Sequence, residues 1–142
     1  MIEKIQMLTK TTVPDGFHEA VLERLKSFGV TVTDDDAFTV AFSIDMTANH
    51  IKNTCNTDGI PEGLFNVGVD MVCGDVLEIL NGMNKLNLDG MDLGAIITQI
   101  KEGDTSVSFD ASATDGGKLR AIIDHLINGR RGELLCYRKM TW

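Results

Sequence analysis

Histidine, cysteine and clustered acid are the side chains of this chain that could do chemistry, and their spacing decides how much. His18, His50 and His125 fall in three separate helical patterns, each on a polar face. None stands in an H-E-x-x-H or comparable ligand spacing, so each reads as a solvated side chain rather than a metal ligand or general base. Cys55, Cys73 and Cys136 are odd in number and show no C-x-x-C spacing, and the first two sit on apolar helix faces. They read as small buried hydrophobes of a reducing compartment. Asp34, Asp35 and Asp36 are the strongest cation candidate, but successive residues at a helix start point about 100° apart. The odd-position ligands and distant glutamate of a calcium loop are also missing. Thr33 followed by these carboxylates reads instead as a helix cap with acid at the positive end of the dipole.

Asp89-Gly90-Met91-Asp92 resembles a piece of a calcium loop without its later ligands, and reads as a turn leading to an N-cap at Asp92. No G-x-S-x-G, Walker loop or G-x-G-x-x-G is present. Spacing thus gives no catalytic residue, no metal site and no cofactor, and the chain is not expected to be an enzyme. A pair of carboxylates meeting across a cleft leaves no mark in sequence, so a small hydrolase stays open as an alternative. Its sign would be a carboxyl pKa above about 6.

The elements that would position these groups are mostly helical. Ala37, Ala41, Ile44, Ala48, Ile51 and Cys55 recur at steps of four and three, as do Phe65, Val69, Val72, Val76, Ile79 and Met83. Between them Asn56-Thr57-Asp58-Gly59-Ile60-Pro61 supplies turn formers and then a proline suited to a first helical position. The pattern predicts an αα-hairpin over about 34–55 and 61–82. Leu64, Met71, Cys73, Leu77 and Leu80 make the second helix apolar over most of its circumference. It must be the central element, covered by helices of this chain or by a neighbouring subunit.

Elsewhere, Met1 to Val13 lacks strong periodicity and reads as an extended or weakly helical arm. Phe17, Val21, Leu25 and Phe28 make a first amphipathic helix, with Asp15 as its cap and Gly29 as its stop. Leu93, Ile96, Ile97 and Ile100 mark a short helix after Asp92, and Leu119, Ile122, Ile123, Leu126 and Ile127 mark another after a cap at Thr114 or Asp115. Thr105, Val107 and Phe109 alternate with Ser106, Ser108 and Asp110, the pattern of a half-buried strand. That strand needs a partner in the end of this chain or in another copy.

The fold class is therefore mainly α. A small helical bundle is built on the hairpin, with a short helix and a β-strand in an excursion over about 92–110 and a C-terminal helix over about 116–128. The 142 residues suit a single domain, 1–142, with a helical core over about 15–82 plus 116–128, an excursion over 83–115 and a tail over 130–142. Leu134, Leu135, Tyr137, Met140 and Trp142 in that tail either dock on the domain or anchor a partner.

A net charge of -8 argues against nucleic acid as a tightly held ligand. No run approaches the length of a membrane span and the N-terminus lacks a signal-peptide core, which places the protein, or its assembly, inside the cell.

Several short segments, in this order, resemble one family: Asp34-Asp35-Asp36-Ala37-Phe38, Ile51-Lys52-Asn53-Thr54-Cys55-Asn56, Ile60-Pro61-Glu62-Gly63-Leu64 and Val72-Cys73-Gly74. Ile100-Lys101-Glu102-Gly103-Asp104-Thr105 and Tyr137-Arg138-Lys139-Met140-Thr141-Trp142 follow them. Together they look like the head-tail connector proteins, the adaptor or head-completion proteins of long-tailed bacteriophages and of prophages in Gram-positive bacteria.

The resemblance implies a structural subunit of the virion neck, assembled in the host cytoplasm as a ring of about twelve copies below the portal protein. Such a ring extends the DNA channel, lets DNA pass without specific binding, and offers a surface to a stopper or tail completion protein. It further implies that the C-terminal region engages the portal, which assigns Tyr137, Arg138, Lys139 and Trp142 an anchoring role. The strand residues Thr105, Val107 and Phe109 are candidates for the subunit interface. The alternative from another class is an acidic helical binding module or regulator that occupies a basic partner.

Overall fold

The computed structural model describes residues 1–103, 114–129 and 131–137, and the strand expected over 105–110 lies outside them. Among the described residues the chain is helical: α1 (Ile2–Leu8), α2 (Phe17–Ser27), α3 (Ala37–Cys55), α4 (Phe65–Gly82), α5 (Leu93–Gly103), α6 (Asp115–Asn128) and α7 (Arg131–Cys136). Short 3-10 turns precede α3, α4 and α5.

The αα-hairpin is α3 and α4, which pack on each other. In α3 the stripe Ala37, Ala41, Ile44, Ala48, Ile51 and Cys55 is fully buried. Asn56 ends the helix in the left-handed region at φ 54, a conformation that asparagine tolerates better than most residues. Thr33 and Asp36 form a capping box ahead of it, with the Thr33 amide 3.1 Å from the Asp36 carboxylate. Of the three acids, Asp36 is thus the one that caps, while Asp34 and Asp35 stay exposed in the same 3-10 turn. Asp36 also holds Lys85 at 3.2 Å, which ties the end of the hairpin back to its start.

α4 is the central element, packed by α2, α3 and α6 of the same chain. Val67, Val69, Met71, Val72, Cys73, Val76, Leu77 and Leu80 are all buried, each of the larger ones contributing about 1.5–3 kcal/mol to folding. No neighbouring subunit is needed to explain the apolar excess of this helix. Its expected stripe is displaced at both ends: Phe65 is only partly buried and Met83 is half exposed, because the helices on the flanks cover the arc that contains Leu77 and Leu80. Pro61 does not open the α-helix itself; a 3-10 turn over Glu62–Leu64 intervenes.

Gly74 lets α6 close on α4. A Cβ there would lie 2.8 Å from Ile127 Cγ1 and 2.9 Å from Leu126 Cβ, closer than packed carbons approach. The stripe of α6 predicted from sequence is buried at Leu119, Ile122, Ile123 and Leu126, and the Thr114 hydroxyl accepts from the Gly117 amide at 3.2 Å as its cap. α5 packs on α6 through buried Leu93, Ile96 and Ile100, and the Asp92 carboxylate accepts from the Ala95 amide at 3.0 Å.

Two expectations at the N-terminal end are corrected. Met1 to Val13 is not an arm: its first part forms α1, in line with the helical alternative, and packs on α2 and α3 with Ile5 fully buried. A helix of two turns that buries one residue has no period to read. α2 is capped by Gly16 at φ 80, and not by Asp15, because Pro14 turns the chain tightly into Phe17.

Candidate functional site

The sequence placed its interface candidates in the strand and the tail. Thr105, Val107, Phe109, Arg138, Lys139 and Trp142 lie outside the described residues. Tyr137 is described. α7 folds back onto the end of α3, where buried Leu134 offers its carbonyl to the Cys55 thiol at 3.2 Å. From there Tyr137, 43% exposed, reaches Gly63 in the hairpin turn so closely that a Cβ at Gly63 would overlap the phenol hydroxyl. This part of the tail therefore docks on its own domain.

The histidines do not share one environment. His50 is exposed as expected, whereas His18 and His125 are partly buried. Burial lowers the His18 pKa against the opposing pull of Glu19 and Asp45, and its Nε2 lies 3.3 Å from the Thr9 hydroxyl. Such a ring is a neutral packing element at physiological pH. Cys55 and Cys73 are the small buried hydrophobes that their helix faces suggested. Burial, with Asp70 adding to it, pushes the Cys73 thiol up, which removes it from thiolate chemistry. Among the described residues no group of three or more histidines, cysteines and acids stands together to hold a metal ion. No described helix is long and apolar enough to cross a membrane.

The carboxylates divide by partner. Burial alone would raise the Asp45 pKa, but hydrogen bonds from the Thr11 hydroxyl (2.7 Å), the Thr11 amide (2.9 Å) and the Lys10 amide (3.1 Å) outweigh it and hold the group below its ordinary value. Asp36 is likewise lowered, because Thr33 and Lys85 outweigh its burial. Asp75 moves the other way, raised by burial and then by Glu78 one turn along α4. Glu78 itself is held by Arg120 of α6 at 3.2 Å in an exposed pair.

Asp75 belongs to the most notable surface of the described chain. With Met71 of α4, Ile127 of α6, and Met46, Thr47 and His50 of α3 it lines an open cleft of about 180 Å³. Leading up to this cleft, α3 carries a second apolar stripe at Phe38, Phe42 and Met46. These residues are 66%, 47% and 51% exposed, and the two phenyl rings stack with centroids 6.0 Å apart. The four-residue step that brings them into line was legible in the sequence, but the stronger stripe of Ala37 to Cys55 on the same helix drew the reading away from it. Comparison with protein-family models, with curated proteins and with solved structures found no match for this chain.

Proposed function

We propose that this protein is a structural subunit of a bacteriophage or prophage head-tail connector, a ring component that docks beneath the portal and carries the DNA channel toward the tail. The observation that supports it best is a convergence. Two of the segments that resemble the connector family, Ile51 to Asn56 and Ile60 to Leu64, flank the hairpin turn, and Tyr137, the first residue of a third, reaches Gly63 there, while Leu134 just ahead of it in α7 accepts from the Cys55 thiol. Segments far apart in sequence that build one corner of a fold belong to one structural unit, which isolated motif matches would not require.

In this reading Arg138, Lys139 and Trp142, which follow α7 in sequence, anchor the portal together with Tyr137. Thr105, Val107 and Phe109 pack laterally against the next copy. The negative charge keeps the lumen from retaining DNA phosphates. The protein acts by assembly and has no catalytic role.

Sedimentation of the purified protein, alone and mixed with its portal, tests this. The expected result is a complex with portal that is lost, with folding intact, when Trp142 and Tyr137 are truncated. A strict monomer that ignores portal would overturn the proposal. The second reading, an acidic binding module, is favoured by the exposed stripe of α3 beside acid. It predicts a one-to-one complex with a basic protein that weakens steeply with salt.

A further inference from the structure

The outward face of α3 has features that a solvated helix surface does not need. Phe38, Phe42 and Met46 stand in line on an otherwise well-covered hairpin, and the line runs into the cleft between Met46, His50, Met71 and Asp75. From Phe38 to His50 this face spans about 18 Å of helix, the length of three turns. Stacked aromatics next to methionine provide adaptable apolar contact, the surface type that receives helices in grooves. None of these side chains serves the fold, since the buried stripe of α3 points elsewhere.

Charge selects the occupant. Exposed Asp34 and Asp35 stand one turn ahead of Phe38, and Asp75 lines the cleft on the α4 side, with Glu78 one turn further along that helix. Lys4, whose Nζ lies 3.2 Å from the Asp34 carbonyl, and Arg120, paired with Glu78, offset part of this acid but not all of it. A second copy presenting the same face would set acid against acid, on a chain of net charge -8.

We propose that this face of α3 is a docking groove for an amphipathic helix of another protein, with apolar anchors at helical spacing and lysine or arginine on its flanks. The proposal uses none of the tail and strand residues assigned to the connector ring, so it survives or fails independently of that reading.

The test uses a fluorescein-labelled synthetic peptide of about 18 residues with leucines at i, i+3, i+4 and i+7 and lysines between, followed by anisotropy on the full chain. Saturable one-to-one binding is expected. The F42S/M46S double variant should weaken it by about tenfold or more, as loss of central anchors does. D34N/D35N should weaken it by about threefold and flatten its salt dependence. L135S, which removes an exposed apolar residue of α7, should leave it unchanged. Both substituted positions of the double variant are exposed, so its thermal melt should match that of the parent; if it does not, F38S alone serves in its place.

Binding that is equal in parent and F42S/M46S, or that L135S also removes, would show non-specific charge attraction and overturn the proposal. So would no saturable binding at all. A parent that sediments as a dimer, dissolved by F42S/M46S, would assign the face to a second copy and overturn it equally.

Discussion

The hydroxyl of Tyr137 sits over Gly63, in the space that any larger side chain at position 63 would fill. Gly63 lies within the 3-10 turn Glu62–Leu64 and is not at a positive φ, so its lack of a side chain serves the approach of the phenol and not the backbone. Contacts of this kind fix where the last described residues of the tail leave the bundle.

Gly63→Ala is therefore expected to displace Tyr137 and loosen α7, at a cost of about 1 kcal/mol, the low end of overpacking because the phenol is half exposed and can swing aside. In a Tyr137→Ala background the same substitution should cost nothing. A double-mutant cycle by urea unfolding measures the difference, and limited proteolysis after residue 129 reports the loosening. Equal costs of Gly63→Ala in both backgrounds would mean that the contact carries no energy.

How much of this was legible beforehand follows from the physics of each element. α3, α5 and α6 were readable because each buries one face, which imposes a period of 3.6 on the sequence, and α4 because the same period recurs within its wider apolar arc. Their caps at Thr33, Asp92 and Thr114 were readable because side-chain oxygens at helix starts satisfy specific amides. α1 left no more than a weak helical sign, because one buried isoleucine holds it and Asp45 holds the segment after it across more than thirty residues of sequence, which no local pattern records. Nor could periodicity say that α4 is covered within its own chain, since an all-round apolar helix looks the same whoever covers it. The Phe38–Phe42–Met46 stripe was present in the spacing, yet only exposure separates a docking face from a second buried one.

Ser43 supplies a second prediction. Its hydroxyl is fully buried in α3 and, among the described residues, is the one buried side-chain oxygen or nitrogen without a hydrogen-bond partner. An unpaired buried hydroxyl is unfavourable, and serine is also a weaker helix former than alanine. Ser43→Ala should stabilise the protein by about 1 kcal/mol and raise the melting temperature by several degrees. Calorimetry of the two proteins decides it, and a lower melting temperature for the variant would show that the hydroxyl has a partner, such as a bound water, that alanine strands.

Asp45 fixes the pH dependence. Its carboxylate receives the Lys10 and Thr11 amides and the Thr11 hydroxyl, pinning the segment between α1 and α2 to α3. Folding lowers its pKa, so the folded chain holds this proton less tightly than the unfolded chain. The resulting stability is complete above the ordinary carboxylate value of about 4 and is lost as pH falls through the lower, folded value. Asp36 adds in the same direction and the same window. Asp75 opposes them: its folded pKa is raised, so its contribution is present in acid and is lost as pH rises through the folded value. Asp45→Asn should therefore cost about 1–2 kcal/mol near neutral pH and much less in acid, where both proteins carry an uncharged group at this position. Asp75→Asn should be neutral in acid and stabilise by on the order of 0.5 kcal/mol near neutrality. Urea unfolding across a pH series separates the two, since the Asp45→Asn curve should converge with the parent as pH falls. A constant gap at every pH would mean that Asp45 acts by shape and not by charge.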